Sequence, residues 1–285
     1  MKIEVKNVTK KFGETTAIDD ISLCFEENKI YGLLGRNGAG KSTLLNIITN
    51  RIFQNSGEVI IDNMDNRNND KALHNIYLMS EKNYYPGNMT IKDIFQWSQE
   101  FYNSFNMPYA LKLSDEFGLN VKKKLKEIST GYSSIFKIII ALSLDVPFVF
   151  LDEPVLGLDA NHRELFYKRL LENYIDHPRT FVISTHLIEE ISTLIEDIII
   201  IKEGKVIKNQ SCEELLESGY TVSGLASCVD DFISDKNVIG TDILGGLKSA
   251  HVLGNRKDIN EETIDKNLEI SKLDLQKLFI HLTNK

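Results

Sequence analysis

The chain has 285 residues, of which 42% are hydrophobic, and this content suffices for one large folded domain or for a main domain with a smaller one. The net charge of −8 at pH 7 argues against a dedicated nucleic-acid surface, so we expect no nucleic-acid partner. The three cysteines form no CxxC pair, which favours a reducing compartment such as the cytosol over a disulfide framework or a zinc site.

Short apolar runs bounded by turn residues alternate with helical patterns along most of the chain. The opening residues alternate apolar and polar side chains, and together with GEVIID at 57–62 they predict an antiparallel flank. Buried, largely parallel strands are predicted for the runs KIYGLLG, FVFLDEP, TFVIST and DIIIIKEG. The pattern therefore predicts an α/β fold.

Two further segments differ from this α/β pattern. Strand signals vanish at about 84–145, where helical periodicity predicts a helical subdomain inserted into the core. The pattern restarts at Ser211, which forms a possible capping box with Glu214, and continues with short strands and a final helix. We therefore expect a main domain over 1–210 and a small α+β accessory domain over 211–285.

The stretch GRNGAGKS at 35–42 matches the pattern G-x-x-x-x-G-K-[S/T] of a phosphate-binding loop, with an apolar strand before it and a helical segment after it. Glycines there let backbone N–H groups point at phosphate oxygens, and the helix start adds partial positive charge. Lys41 is expected to neutralise the β/γ-phosphates and Ser42 to ligate Mg²⁺. The alternative is an ordinary glycine-rich turn with a solvated lysine. The expected nucleotide-binding residues are Gly35, Arg36, Asn37, Gly38, Ala39, Gly40, Lys41, Ser42 and Thr43.

Two carboxylates end the buried strand of FVFLDEP. Asp152 is suited to hold the magnesium shell, and Glu153 to orient or deprotonate an attacking water, as nucleotide hydrolysis requires. The alternative is a strand followed by a polar turn, with Pro154 ending the strand. Downstream of a phosphate loop, the catalytic interpretation is favoured.

The phosphate loop, STG, LDEP, GLD and STH occur in the order found in the ATP-binding cassette (ABC) family, which the chain resembles over approximately 1–209. The resemblance implies a P-loop NTPase core that binds ATP and Mg²⁺ and hydrolyses ATP. It also implies a second cassette as partner, in a homodimer or heterodimer, and a membrane permease that holds the protein at the inner face of the cell membrane. The final helix LDLQKLFIHLT resembles that of ATPases in bacterial drug and antibiotic-peptide exporters, which suggests export.

The resemblance also implies roles for single residues around the nucleotide. Phe12 lies where the family has an aromatic ring stacked on adenine, although a core phenylalanine would look alike in sequence. Glu81 lies where most cassettes have a glutamine that contacts Mg²⁺ or water, and an exposed loop acid is the alternative. His186 matches the switch histidine, which hydrogen-bonds the γ-phosphate and helps hold Glu153.

Further family positions are implied to serve the opposite subunit of a dimer. Ile128 to Tyr132 aligns with the family signature, usually LSGGQ, so that Ser129 and Gly131 would touch the partner's γ-phosphate. Thr130, Tyr132 and Ile135 depart from the family pattern. The alternative is a helix start capped by Ser129 or Ser133 without any ligand.

Asp159 matches the loop that communicates between the two nucleotide sites of a dimer, and a plain N-cap for a helix beginning near Asn161 is a compatible alternative.

Among other functions, a soluble ABC protein of ribosomes or chromosomes fits poorly, because the chain has one phosphate loop and no sustained heptads. A regulatory module that binds ATP with little hydrolysis is the remaining alternative, motivated by Glu81 and the altered signature.

Overall fold

Alternating apolar residues and continuous apolar runs produce two different sheets in the first part of the chain. A computed structural model describes residues 1–256, 259 and 266–284. Contacts divide the chain into two units, Met1–His186 with Ile201–Ile207, and Leu187–Ile200 with Lys208–Lys285. The elements up to residue 211 are, in order, β1 Lys2–Phe12, β2 Thr15–Glu26, β3 Ile30–Leu34, α1 Lys41–Ile48, β4 Ser56–Ile61, β5 Met64–Asp65, α2 Asp70–Leu73, β6 Ile76–Met79, α3 Ile91–Phe101, α4 Met107–Glu116, a 3-10 turn Leu125–Glu127, α5 Thr130–Ser143, β7 Phe148–Asp152, α6 Ala160–Asp176, β8 Thr180–Thr185, α7 Ile188–Ile191, β9 Asp197–Lys202 and β10 Lys205–Ser211.

Alternating residues form the predicted antiparallel flank in the first unit. Its strand order is β2-β1-β4-β5, and Ile3 lies opposite Phe25 on one side and Ile61 on the other. All three side chains are buried, while Lys2 and Glu4, the neighbours of Ile3 along β1, are more exposed. One face of the sheet therefore covers apolar core, as the period of two requires.

The continuously apolar runs form a second sheet, with strand order β10-β9-β3-β8-β7-β6 among the described residues. Strands β3, β8, β7 and β6 are mutually parallel, and every residue of β3, β7 and β8 is buried. Parallel strands end at a common edge of their sheet, where ligands usually bind. The loops after β3, β6, β7 and β8 therefore lie at one edge.

Helices α3, α4 and α5 occupy the predicted helical segment between β6 and β7. Thr90 and Asp93 form a complete capping box that starts α3, and Ser129 caps α5. Phe95 of α3 stacks on Phe136 of α5 with ring centroids 6.1 Å apart, and both rings are fully buried. This aromatic contact fixes α5 against its neighbour.

The second unit contains an antiparallel sheet of order β12-β13-β11-β14 and helices at its flanks. Its apolar core consists of Tyr220, Val222, Val229, Ala250 and Val252. The elements that begin after residue 211 are α8 Cys212–Glu217, β11 Gly219–Leu225, α9 Ala226–Ile233, β12 Asn237–Leu244, β13 Leu247–Leu253, β14 Leu268–Lys272 and α10 Leu275–Asn284.

The contact division differs from the predicted domain bounds of 1–210 and 211–285 in two segments, Leu187–Ile200 and residues 208–210, both of which fall in the second unit. Leu187–Ile200 is grouped with the C-terminal residues, because α7 packs on α10 and the Cys212 N–H donates to Glu196 O at 2.7 Å. Of the predicted capping box, the structure shows Ser211 Oγ accepting from Glu214 N at 3.1 Å. None of the helices within the described ranges is long and apolar enough to cross a membrane.

Candidate nucleotide site

The phosphate-loop pattern lies between the buried strand β3 and helix α1. Gly38 and Gly40 have φ angles of 81° and 112°, which favour glycine, and a Cβ on Gly40 would lie 2.6 Å from Ala17 O. Gly40 is the N-cap of α1 and provides no side-chain cap, and the first turn of α1 has no acidic residue. The N–H groups of this turn are therefore available to an anion.

A cleft of about 380 Å³ opens at this loop. Its size is in the usual range for a small-molecule ligand site. It brings together the phosphate loop and the ends of three further strands. Its lining consists of Ala17, Arg36, Asn37, Gly38, Ala39, Gly40, Lys41, Ser42, Thr43, Glu81, Glu153, Leu156 and His186.

Glu153 lies between a lysine and a histidine. His186 Nδ1 is 2.9 Å from Glu153 Oε2, and Lys41 Nζ is 3.8 Å from Glu153 Oε1. The φ angle of Glu153 is 48°, a left-handed conformation that is unusual for a residue with a side chain and that recurs at functional sites. Its N–H donates to Ser184 O at 2.8 Å, which fixes the turn after β7 to β8.

Lys41 is buried, and its Nζ donates to Gly35 O at 2.7 Å. Burial lowers the pKa of Lys41, and the charges of Glu153 and Asp152 oppose this shift. A desolvated ammonium gains more from a nearby anion than an ammonium in water does. The hydrogen bond to Gly35 O holds the Lys41 side chain against the loop.

The oxygen atoms near Lys41 fit a magnesium ion. Asp152 is 5% exposed, and its Oδ1 has no hydrogen-bond partner within the described part of the chain. A buried carboxylate oxygen is costly without a partner, and Mg²⁺ prefers one or two carboxylates, water and substrate phosphates. The Ser42 hydroxyl, exposed in the first turn of α1, offers a second oxygen.

Signature-like residues 128–132 start α5 and pack against the loop that precedes α6. Ser129 Oγ accepts from Tyr132 N at 3.3 Å, as an N-cap does. A Cβ on Gly131 would lie 2.7 Å from Gly157 O, so only glycine fits there. Ser134 Oγ donates to Leu156 O at 2.9 Å.

Comparisons with known proteins agree with this arrangement of motifs. The family model described as ABC transporter matches residues 18–156. An uncharacterized ABC transporter ATP-binding protein, MJ1023 of Methanocaldococcus jannaschii, is 31% identical over 221 residues, covering 75% of this chain and 79% of that protein. The chain belongs to the ABC transporter family, as an ATP-binding subunit.

Two further ABC proteins extend the comparison. The petrobactin import ATP-binding protein YclP of Bacillus subtilis is 28% identical over 232 residues, covering 76% of this chain and 89% of YclP. A dimeric, post-hydrolysis structure of the ATP-binding cassette MJ0796 bound to ADP and Pi matches with a TM-score of 0.65 and 26% identity, covering 74% of this chain and 98% of that one. This ABC subunit is accordingly an ATPase with the P-loop NTPase fold predicted from its sequence.

The structure separates the sequence-predicted ABC residues into two groups. The phosphate loop, Glu81, Glu153 and His186 meet at the cleft. The described lining of the cleft does not include Gly35 or Asp152, which adjoin lining residues in the sequence. Nor does it include Phe12, Ser129, Gly131 or Asp159. The alternative of a core phenylalanine is wrong for Phe12, because its side chain is 51% exposed at the end of β1.

Asp159 caps helix α6, as the compatible alternative predicted, and this helix begins at Ala160. Its Oδ1 accepts from His162 N at 2.9 Å, and its Oδ2 lies 2.9 Å from His162 Nδ1. These hydrogen bonds to His162 lower the pKa of Asp159. Tyr132, at the family's glutamine position, contacts His162 edge-on with ring centroids 6.0 Å apart. The altered signature residue is thus connected to Asp159 through His162.

Sequence reasoning missed the roles of His162 and Lys137. Lys137 is 7% exposed, and its Nζ donates to Ser80 O and Glu81 O at 2.9 and 2.7 Å. The available signal was a lysine in the otherwise apolar run IFKIII. A lysine is almost never fully buried unless it is paired, so its position on a buried helix face indicates a partner.

Proposed function

We propose that this ABC subunit binds Mg·ATP in the cleft between the phosphate loop and the end of β7, and that hydrolysis powers a separate membrane permease. The observation that supports this most directly is Glu153, held between Lys41 and His186 beside the phosphate loop. Phosphoryl transfer to water needs mainly positioning and charge neutralisation, and these residues supply both.

Each residue of the cleft has a proposed role. The backbone N–H groups of residues 35–43 and the Lys41 ammonium hold the phosphates. Ser42 and Asp152 would hold Mg²⁺, with Glu81 near it, and the ion would neutralise charge on the phosphates. Glu153 orients the attacking water and accepts its proton, while His186 keeps the carboxylate in place and hydrogen-bonds the γ-phosphate.

The remaining predicted residues serve nucleotide binding at other surfaces. Phe12 is proposed to stack on adenine, because its ring is exposed at the end of β1. Ser129, Gly131 and Asp159 are proposed to complete the site of a second cassette, in a homodimer or heterodimer. This proposal is supported by their position outside the cleft of their own chain and by the dimeric MJ0796 structure.

The permease is proposed to be an exporter on whose cytoplasmic side this subunit lies. Export is supported by the resemblance of helix α10 to the final helix of ATPases in bacterial drug and antibiotic-peptide exporters. YclP shows by its name that a related subunit serves import. Co-purification of the membrane partner, followed by transport into inverted vesicles, tests both proposals. ATP-dependent uptake into inverted vesicles is expected, and substrate loss from such vesicles would contradict export.

The substitution Glu153→Gln tests the catalytic proposal. It keeps the side chain's size and removes its capacity to accept a proton, so kcat for ATP should fall by about 10²- to 10⁴-fold while ATP binding persists. Glu164→Gln, on the exposed face of α6, serves as the control and should hydrolyse ATP like the wild type. Wild-type hydrolysis by Glu153→Gln would refute the role of Glu153. Absence of hydrolysis in the wild type, alone and with its permease, would favour the regulatory alternative.

A further inference from the structure

Lys137 lies on the buried side of α5, two turns after the helix begins at Thr130. Its neighbours Phe136, Ile138 and Ile139 are fully buried. A buried ammonium group is costly unless its hydrogen bonds and charge are satisfied, so this lysine requires specific partners.

Those partners are in the loop that follows β6 and carries Glu81 to the cleft. Lys137 Nζ donates to Ser80 O at 2.9 Å and to Glu81 O at 2.7 Å. Asn83 Nδ2 of the same loop donates to Ser133 Oγ at 2.7 Å, in the first turn of α5. The loop is therefore attached to α5 at two points, one buried and one exposed.

A third attachment connects this loop to the segment after the phosphate-loop helix. Arg51 follows α1, and its guanidinium donates to Ser80 Oγ and to Leu78 O, each at 3.0 Å. Ser80 Oγ in turn donates to Lys82 O at 3.2 Å. The position of Glu81 is thus set jointly from the end of α1 and from α5.

The charge of Lys137 also matters for the acidic side chains near the cleft. Burial lowers the pKa of Lys137, and the negative charges of the Glu81 and Asp152 carboxylates oppose this shift. Together with Glu153 these form three acidic side chains at or beside a cleft that must accept phosphates. Lys137 is thus a second buried cation near these acidic side chains, in addition to Lys41 within the cleft.

We propose that Lys137 is a positioning residue of the nucleotide site, which fixes the Glu81 loop to the signature helix and offsets the Glu81 carboxylate. This inference rests on the proposed role of Glu81 near Mg·ATP. Because Lys137 joins the Glu81 loop to α5, and α3 packs on α5, we expect a change in this loop on Mg·ATP binding to reach α3 through Lys137. A merely structural lysine would stabilise the fold without affecting nucleotide affinity.

The test uses the full chain and a fluorescent ATP analogue, MANT-ATP, with Mg²⁺. Lys137→Met removes the charge and donors at similar length, so affinity should fall by at least fivefold. Trp97, the single tryptophan, lies on α3, and its nucleotide-dependent emission change should disappear. Ile139→Val, a conservative buried change on the same helix, controls for destabilisation and should keep wild-type affinity.

The decisive comparison repeats Lys137→Met in a Glu81→Ala background, which removes the side chain that Lys137 is proposed to position. Because Lys137 acts through Glu81, the substitution should there change MANT-ATP affinity less than twofold. Equal effects in both backgrounds, or unchanged affinity and Trp97 response in the wild-type background, would overturn the inference. If Lys137→Met does not fold, Lys137→Gln, which keeps an amide group with two N–H donors, should give the same dependence on Glu81 with a smaller effect. Failure of the catalytic proposal is detected separately, by Glu153→Gln.

Discussion

The proposed adenine contact of Phe12 can be tested by replacing this residue with alanine. Phe12 ends β1, lies opposite Thr15 across a tight turn, and is 51% exposed. Lys10 Nζ lies 4.9 Å from the ring centroid, so the ring is already one partner of a cation–π contact. A half-exposed aromatic side chain at a strand end can accept a base on its open face without any rearrangement of the core.

The exposed fraction sets the expected magnitudes. Full burial of a phenylalanine contributes roughly 1.5–3 kcal/mol, so loss of a half-buried one should cost about 1 kcal/mol, against roughly 3–5 kcal/mol for a core site. For a chain of this size that is a fall in Tm of about 2–4 °C. Base stacking on an aromatic side chain is worth about 1–3 kcal/mol, which is a 5- to 150-fold loss of ATP affinity.

Comparing ATP with tripolyphosphate separates stacking on adenine from effects on phosphate binding. Phe12→Ala should lower the affinity for ATP, measured calorimetrically with Mg²⁺. It should leave the affinity for tripolyphosphate unchanged, because tripolyphosphate has no base. Phe53→Ala removes a ring of similar exposure, 57%, and should lower the affinity for neither ligand. If Phe12→Ala lowered the affinities for ATP and tripolyphosphate equally, Phe12 would instead shape the phosphate loop. Unchanged ATP affinity would refute the contact altogether.

Two further substitutions test the start of α5. Ser129→Arg should abolish cooperative ATP hydrolysis, because it places bulk and a cation where the partner's γ-phosphate would bind; wild-type dependence of rate on ATP concentration would show that this stretch is structural. Gly131→Ala should lower the free energy of unfolding by about 1–2 kcal/mol. Overpacking against Gly157 O costs about 1–3 kcal/mol, and the higher helix propensity of alanine offsets up to about 1 kcal/mol of this cost. Gly87→Ala, whose Cβ would lie 3.5 Å from Lys126 Cβ, is its control in thermal unfolding; an equal fall in both variants would contradict the close approach.

The parts of the site that the sequence predicted are those formed within a few residues. The phosphate loop is one strand, one turn and one helix start, and its Gly38 and Gly40 have positive φ angles that favour glycine. The position of Glu153 follows from a buried parallel strand that ends beside β8. Short-range patterns of this kind specify backbone geometry directly, so their ligand chemistry can be read from residue types.

Contacts between distant residues could not be predicted in the same way. The run IFKIII contains a lysine, but its carbonyl partners in the Glu81 loop depend on how α5 packs beside β6. The grouping of Leu187–Ile200 with the C-terminal unit likewise depends on α10, far away in the sequence. Tyr132 looked like the loss of a glutamine amide, whereas the structure gives its ring a contact with His162.

The altered signature has a backbone geometry that its neighbours in space constrain. Gly131 must approach Gly157 O, and Ser129 must remain the cap of α5, so the positions of the hydroxyl and amides are set by packing within one chain. Tyr132 adds a contact to His162, which itself holds Asp159. Two segments that we propose to face the partner's nucleotide are therefore joined before any dimer forms. Preorganisation of this kind lowers the entropy lost on association, so the substitutions at Thr130 and Tyr132 are compatible with a working signature.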